Sequence, residues 1–503
     1  MDKRRRQNSS VSDMVVHGPL TDPGYVTTSE RSEGTPSLSR SLVDGRATES
    51  LAMADHLLAE GSLAGAALAS VEVASLLALV LLGDLGQVRA RAGAILARTG
   101  PGVDGAMAGA LTAMAYIAWD EGRVADAMVL LRAGVERRDE VAEPMFGTYV
   151  GLTLSSRLRA LGEVEASAAA LADCEVSGDP VWAAGPPVFR AGLRLSTGDV
   201  AGAVQEAERG LALASWPPAA LFAGQARGVL TSAALIRGDT CEVRRQLAAA
   251  RRLPIGRQAL AGQTAELWFE GRLADIEGGP ADAVRRLDLV YDGLTHHRRL
   301  MVEDPAAAAW LTRAALAAGA TGRAQRVAST AEQLAVDNPD YPTLVAVSDH
   351  VRGLVDRDPA ALERAAANHR QPWARASALE DAGTVLEEVG ARSAGLARLG
   401  EAVYAYEDAG ASHDVTRVRR RVDEVQGRVP RRRRLPRPVS GWHSLTDAER
   451  TVAEVVAEGL TNRAAGERLY LSRHTVDAHL RQIFRKLEVG SRVEMTRRVL
   501  EET

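Results

Sequence analysis

Lysine is almost missing from this 503-residue chain, where Lys3 and Lys486 stand against 59 arginines. A phosphate-gripping loop of the form Gly-x-x-x-x-Gly-Lys-Ser/Thr needs a lysine, and neither of these two has that setting, so a Walker-type nucleotide site is excluded. Cysteine is nearly as scarce. Cys174 and Cys241 each sit alone in an alanine-rich stretch, which provides neither a disulfide framework nor zinc spacing; both read as buried small hydrophobes in a reducing cytosol. Aromatics are 4% of a chain that is 46% hydrophobic, so the cores must be packed from Ala, Leu and Val on helices. The basic start, Met1 to Arg6, leads into polar residues, and no signal peptide is expected. The most apolar run, Leu63 to Leu82, contains Glu72 and many small residues, and reads as a buried helix pair rather than a membrane span.

What is present is repetition. Between Ala47 and Val425, glycine-led turns recur at Gly83-Asp84, Gly122-Arg123, Gly162-Glu163, Gly198-Asp199, Gly238-Asp239, Gly278-Gly279 and Gly319-Ala320, a spacing of about 40 residues. Glycine ends one helix by taking positive φ, and a second helix follows with a small residue near its fifth position. Ala127, Ala203, Ala283 and Ala324 let paired helices approach, while Leu130, Leu171, Leu211, Leu247 and Leu287 fill the space between units. The expected fold is all-α: a tetratricopeptide-like α-solenoid over residues 46–425, after a disordered tail over residues 1–45. Residues 426–441 hold three prolines and the run Arg431, Arg432, Arg433 and Arg434, and read as an extended linker.

Residues 442–503 carry a different pattern. Thr446 followed by Glu449 forms a capping-box signature, and Val452, Val455 and Val456 repeat at helical spacing until Gly459. Thr461 can cap a short second helix ending near Leu469. Ser472 can cap a third, with Val476, Leu480, Ile483 and Leu487 on one face and Arg473, His474, Asp477, Ala478, Arg481, Gln482 and Arg485 on the other. Two short helices joined tightly, the second apolar behind and cationic in front, have the geometry that places a helix in the major groove. Charge agrees: residues 428–503 hold sixteen basic and ten acidic residues in a chain whose net charge is −4.

The motifs Leu-Thr-x-x-Glu, Gly-Leu-Thr-Asn-Arg, Leu-Ser-x-x-Thr-Val-x-x-His-Leu and Ile-Phe-x-Lys-Leu, closing on Ser491-Arg492-Val493-Glu494, resemble the LuxR-type (NarL/FixJ-type) DNA-binding domain of bacterial transcription regulators. The resemblance covers about the last 60 residues. It implies a four-helix domain that binds double-stranded DNA as a homodimer, with RNA polymerase a further expected partner. Thr461, Asn462, Ser472, Arg473, His474, Thr475, Asp477, Ala478, His479, Arg481, Gln482, Arg485 and Lys486 would meet the DNA, Arg431 to Arg434 would meet phosphates, and Val493 would lie in the dimer contact. Ala464, Ala465 and Gly466 replace the family's usual Glu, Ile and Ala, which should weaken the second helix by roughly 1 kcal/mol at the glycine. Asp477 stands where the family often has lysine. It is expected either to read a cytosine or to pair with Arg473 and Arg481, and the pairing is favoured by spacing.

Residues Pro372 to Ala376, Leu379 to Gly383 and Ala402 to Ala411, ahead of Arg417 to Arg421, resemble the helical region of large ATP-binding LuxR-type regulators, whose ATPase module has no counterpart here. Catalytic and metal-binding constellations are not apparent. His296-His297 reads as a solvated helix end, and Trp119, Trp182, Trp216, Trp268, Trp310 and Trp373 read as packing residues rather than a groove lining. The expected protein is therefore a cytoplasmic, non-enzymatic and cofactor-free DNA-binding transcription regulator. Its solenoid would sense a ligand or protein in a concave groove. A helical scaffold tethered to DNA is the alternative, and a hidden helical enzyme or a sigma-like helix-turn-helix fits less well. Titrating ATP into the full-length protein should give no saturable binding, and binding that saturates in the micromolar range would contradict the lysine argument.

Overall fold

A computed structural model of the chain describes residues 38–98, 104–137, 144–174, 182–215, 218–254, 260–294, 298–427, 441–445, 447–469 and 473–502. Among the described residues the regular structure is helical, with one isolated bridge between Ser215 and Pro218. The order begins earlier than the composition predicts. Leu38–Val43 is a helix whose Leu42 and Val43 are buried, because an apolar i, i+4 pair gives this short segment something to anchor. The apolar run is likewise one helix, Gly65–Leu82, and not a pair, since no glycine or proline interrupts the ladder after Gly65. By length and composition it could span a membrane, but eleven of its residues are buried in the protein.

Antiparallel helix pairs fill residues 47–426, among them Asp104–Asp120 with Val124–Val135, Gly185–Ser196 with Val200–Leu213, and Ala220–Arg237 with Thr240–Ala250. The turn chemistry is local. Gly83, Gly198 and Gly238 hold φ of 75°, 89° and 77°, and the aspartate after each accepts a bond from the backbone N–H three residues on. Glycine thus ends one helix and aspartate caps the next. At the doubled glycine, Gly279 rather than Gly278 takes the positive φ. Ala127, Ala203, Ala283 and Ala324 are fully buried, as close helix approach requires.

The array does not stay open. Its early turns seat on segments about 200 residues later. The Val124–Val135 helix follows Arg123, which supplies no side-chain cap, and Asn338 does so instead. Asn338 Oδ1 accepts from the Val124 and Ala125 amides at 2.8 and 3.3 Å, and Asn338 Nδ2 donates to the Gly122 and Leu334 carbonyls at 2.8 Å each. Thr343 Oγ1 donates to the Leu161 carbonyl, Arg370 pairs with Glu163, and Arg299 donates to the Tyr116 hydroxyl at 2.6 Å. The turn glycines make room for this. A Cβ on Gly122 would lie 2.8 Å from Leu334 Cδ1, and one on Gly198 would lie 3.0 Å from the Asp408 carbonyl oxygen. The expected concave face of the array thereby becomes a ring-like array of helices, its early and late parts in contact around a partly open chamber.

Cys174 is buried as expected, whereas Cys241 is exposed, because it falls on the outward face of its helix while Val243 and Leu247 face inward. Trp119, Trp182, Trp268 and Trp310 are buried in the cores, as the packing reading expects, and Trp182, Trp268 and the half-buried Trp373 also border the chamber. Trp216 and His296-His297 lie outside the described residues.

One polar cluster stands in the later part of the ring. His350 Nε2 is 2.8 Å from Asp381 Oδ2, which also accepts from Arg313 at 2.5 Å, and His350 Nδ1 is 3.2 Å from His369 Nε2. Burial holds His350 below its ordinary pKa against the pull of Asp381. Burial, then the neighbouring His350, holds His369 well below it. Burial opposes ionisation of Asp381, but Arg313 and the His350 hydrogen bond keep its carboxyl below the usual range. Both imidazoles are therefore neutral in the fold while the unfolded chain takes up protons below about pH 6.5. Stability should fall as pH drops from 7 to 5, by up to about 1.4 kcal/mol per pH unit for each histidine. Urea unfolding at several pH values checks this, and His369→Gln should flatten the slope.

Candidate nucleic-acid interface

The C-terminal unit is a 3-10 turn, Trp442–Ser444, followed by helices Asp447–Ala457, Asn462–Leu469, Arg473–Leu487 and Arg492–Glu502. Its core is Trp442, Leu445, Val452, Val455, Val456, Ala465, Val476, Leu480, Ile483, Leu487, Met495 and Val499. Both apolar stripes legible in the sequence, one on the first helix and one on the third, are in this core. Gly459 ends the first helix with φ of 92°, and Thr461 Oγ1 accepts from the Ala464 amide at 3.2 Å to start the second. The substituted Ala465 is fully buried, so the second helix packs with a small side chain where the family usually has isoleucine.

The third helix is held by charge as well as packing. Lys486 Nζ donates to Glu449 Oε2 at 2.5 Å, and that carboxylate is 8% exposed. Lys486 is thereby committed to tying the first helix to the third, which removes it from the expected groove-facing set. Thr446, the other half of the expected capping box, lies outside the described residues.

A second tie runs through Asn462. Its Nδ2 donates to Asp477 Oδ1 at 2.5 Å, its Oδ1 accepts from Arg492 Nη1 at 2.7 Å, and Arg492 also donates to the carbonyls of Val456 and Leu460. Asp477 thus bonds the second helix rather than the Arg481 side chain, whose Nε reaches only the Asp477 main-chain carbonyl at 3.3 Å. Of the expected pairing of Asp477 with Arg473 and Arg481, the Arg481 half is corrected, since Asn462, brought close by the tight turn, bonds that carboxylate, while the Arg473 side chain lies outside the described residues. Arg492 went unremarked as a clamp, although an arginine at the start of the last helix, opposite the carbonyl end of the first, was the available signal.

What remains outward is a short cationic strip. Arg481, Gln482 and Arg485 are exposed on the face opposite Val476, Leu480 and Ile483, with Arg485 donating to the Gln482 side-chain Oε1. Thr461 is exposed and His479 half-buried. Ser472, the side chains of Arg473, His474, Thr475 and Ala478, and Arg431 to Arg434 lie outside the described residues. On the last helix Val493 and Leu500 are 79% and 71% exposed.

The family described as bacterial regulatory proteins, luxR family, matches residues 443–499. The chain carries a LuxR-family helix-turn-helix domain. An HTH-type transcriptional regulator of Mycobacterium tuberculosis and one of Mycobacterium bovis are each 46% identical to this chain over 59 residues, 12% of this chain and 7% of theirs. A nitrate/nitrite response regulator protein homolog of Haemophilus influenzae is 45% identical over 53 residues, 10% of this chain and 26% of that one. The likeness is therefore confined to the LuxR-family domain, and the chain matches only a small part of those relatives' length.

Replacing Lys486 by Met removes the ammonium from a nearly buried carboxylate and should destabilise the LuxR-family domain by about 3 kcal/mol. The double variant Glu449→Gln, Lys486→Met should recover most of that loss. Hydrogen exchange across residues 447–487 measures both. Equal protection in the single variant and the parent would show the pair to be inert.

Proposed function

We propose that the chain is a sequence-specific DNA-binding transcription regulator whose third C-terminal helix enters the major groove. The observation that carries this is the polarity of Arg473–Leu487: one face is locked into the domain core, and the opposite face presents Arg481, Gln482 and Arg485 to solvent. Arginine and glutamine are the side chains that read guanine and adenine edges bidentately. The family match and the transcription-regulator names of the relatives support the same reading. The exposed Val493 and Leu500 suit a self-complementary contact between two copies on half-sites one helical turn apart. The bound domain then alters the access of RNA polymerase, while the helical ring acts as the sensing part. The linker arginines Arg431 to Arg434 add affinity through phosphates without adding sequence preference.

Footprinting of the full chain on selected genomic fragments tests this. A defined protected site is expected, and Arg481→Ala should weaken it by about 1–3 kcal/mol while leaving weak, salt-sensitive binding to any duplex. Val493→Asp should leave single half-site binding and remove cooperativity. Uniform binding to all fragments, unchanged by Arg481→Ala, would contradict the reading.

A further inference from the structure

The helical array lines a partly open cavity of about 970 Å³, at the upper end of the roughly 300–1,000 Å³ typical of small-molecule sites. The first helices of successive pairs form its wall, and its two kinds of lining are unequal to the needs of packing alone. Trp182, Trp268, Trp373, Phe189, Phe222 and Tyr149 supply flat apolar surface. Alongside them stand six arginines and four carboxylates, an excess of two positive charges in a partly open, largely apolar space.

The pairing of those charges identifies what is spare. Glu303 is shared by Arg157 and Arg299, which hold its carboxyl down to about 2 against burial. Arg251 is engaged by Glu266 and Glu270. Arg227 donates to Gln246 at 2.9 Å. The Asp304 carboxylate is used by the backbone amide of Ala306 at 3.1 Å. Arg159, Arg227 and Arg272 have no carboxylate within ion-pair distance; Arg227 is met by the neutral Gln246, and Asp304 faces both Arg159 and Arg272 from further off. The Arg272 guanidinium lies 5.4, 5.2 and 5.2 Å from the ring centres of Trp268, Trp310 and Trp373, and its nearest carboxylates, Asp304, Asp414 and Asp275, stand beyond ion-pair distance. Burial lowers the pKa of Arg159 and Arg272. Such groups are costly to leave unpaired in a low-dielectric space. Gln371 Nε2 is a further buried donor without an acceptor on the same wall.

We propose that this chamber binds a small amphipathic anion, a carboxylate or sulfonate on a flat apolar body, with Arg159 and Arg272 taking the charge and the tryptophan-rich wall taking the rings. This rests on reading the ring as the sensing part of the regulator. Room for the ligand comes partly from glycine: a Cβ at Gly192 would meet Arg159 Nε at 3.6 Å, and one at Gly228 would meet nothing within 4 Å.

The test uses the full-length chain and two fluorescent probes of nearly the same ring body, the anion 1-anilinonaphthalene-8-sulfonate and neutral N-phenyl-1-naphthylamine. The sulfonate should bind at micromolar Kd and at least tenfold more tightly than the neutral probe. The double variant Arg159→Gln, Arg272→Gln should erase that preference. Gly228→Trp puts an indole into the chamber from a backbone position with open space around its Cβ and adds helix propensity, so it should fold and weaken both probes at least tenfold. Equal affinity for the two probes, a preference unchanged in the arginine variant, or affinities unchanged in Gly228→Trp would each overturn the proposal. Footprinting the same preparations separates the two readings. Protection of DNA without probe binding overturns the chamber alone, and probe binding without any specific DNA site overturns the regulator and leaves the chamber standing.

Discussion

The Asn338 side chain is the constraint from which the helical ring follows. A helix start leaves backbone N–H groups without partners, and at Gly83, Gly198 and Gly238 the next residue, an aspartate, supplies the acceptor. At Gly122 the next residue is Arg123, and the acceptor comes from the end of a helix more than 200 residues later. Both ends of the Asn338 amide are used, and the residue is fully buried. A buried amide with four hydrogen bonds has one orientation, so the early and late parts of the array are fixed in register as well as in contact.

Closure changes what the array is suited to. An open solenoid presents a long concave surface for a protein partner, whereas here Tyr116, Arg157, Arg299 and Glu303 join early and late helices and narrow that surface to a partly open chamber. The same early-to-late contacts that hold the ring also wall the chamber.

The sequence shows what is local and hides what is distant. The turn glycines, the buried stripes Val452, Val455, Val456 and Val476, Leu480, Ile483, Leu487, and the Thr461 cap all follow from spacing within a dozen residues, and each stands where spacing puts it. Asn338 looks in sequence like any helix-ending asparagine. Lys486 and Asp477 look like groove residues because helical periodicity assigns them a face, yet Glu449 and Asn462, on other helices, claim their charges. Cys241 shows the same limit in reverse: an alanine-rich setting suggests burial, but only the packing partner decides which side of the helix is covered.

The closure is tested most directly at the two amides it protects. In hydrogen exchange of the full-length protein, Val124 and Ala125 should exchange slowly, and Asn338→Leu should speed exchange there and around Gly122 while leaving the self-capped turn at Gly198-Asp199 largely protected. Small-angle scattering of the same variant should show a larger radius of gyration. Slow exchange at Val124 and Ala125 that persists in Asn338→Leu, with unchanged scattering, would contradict the account of a ring held shut from its far side.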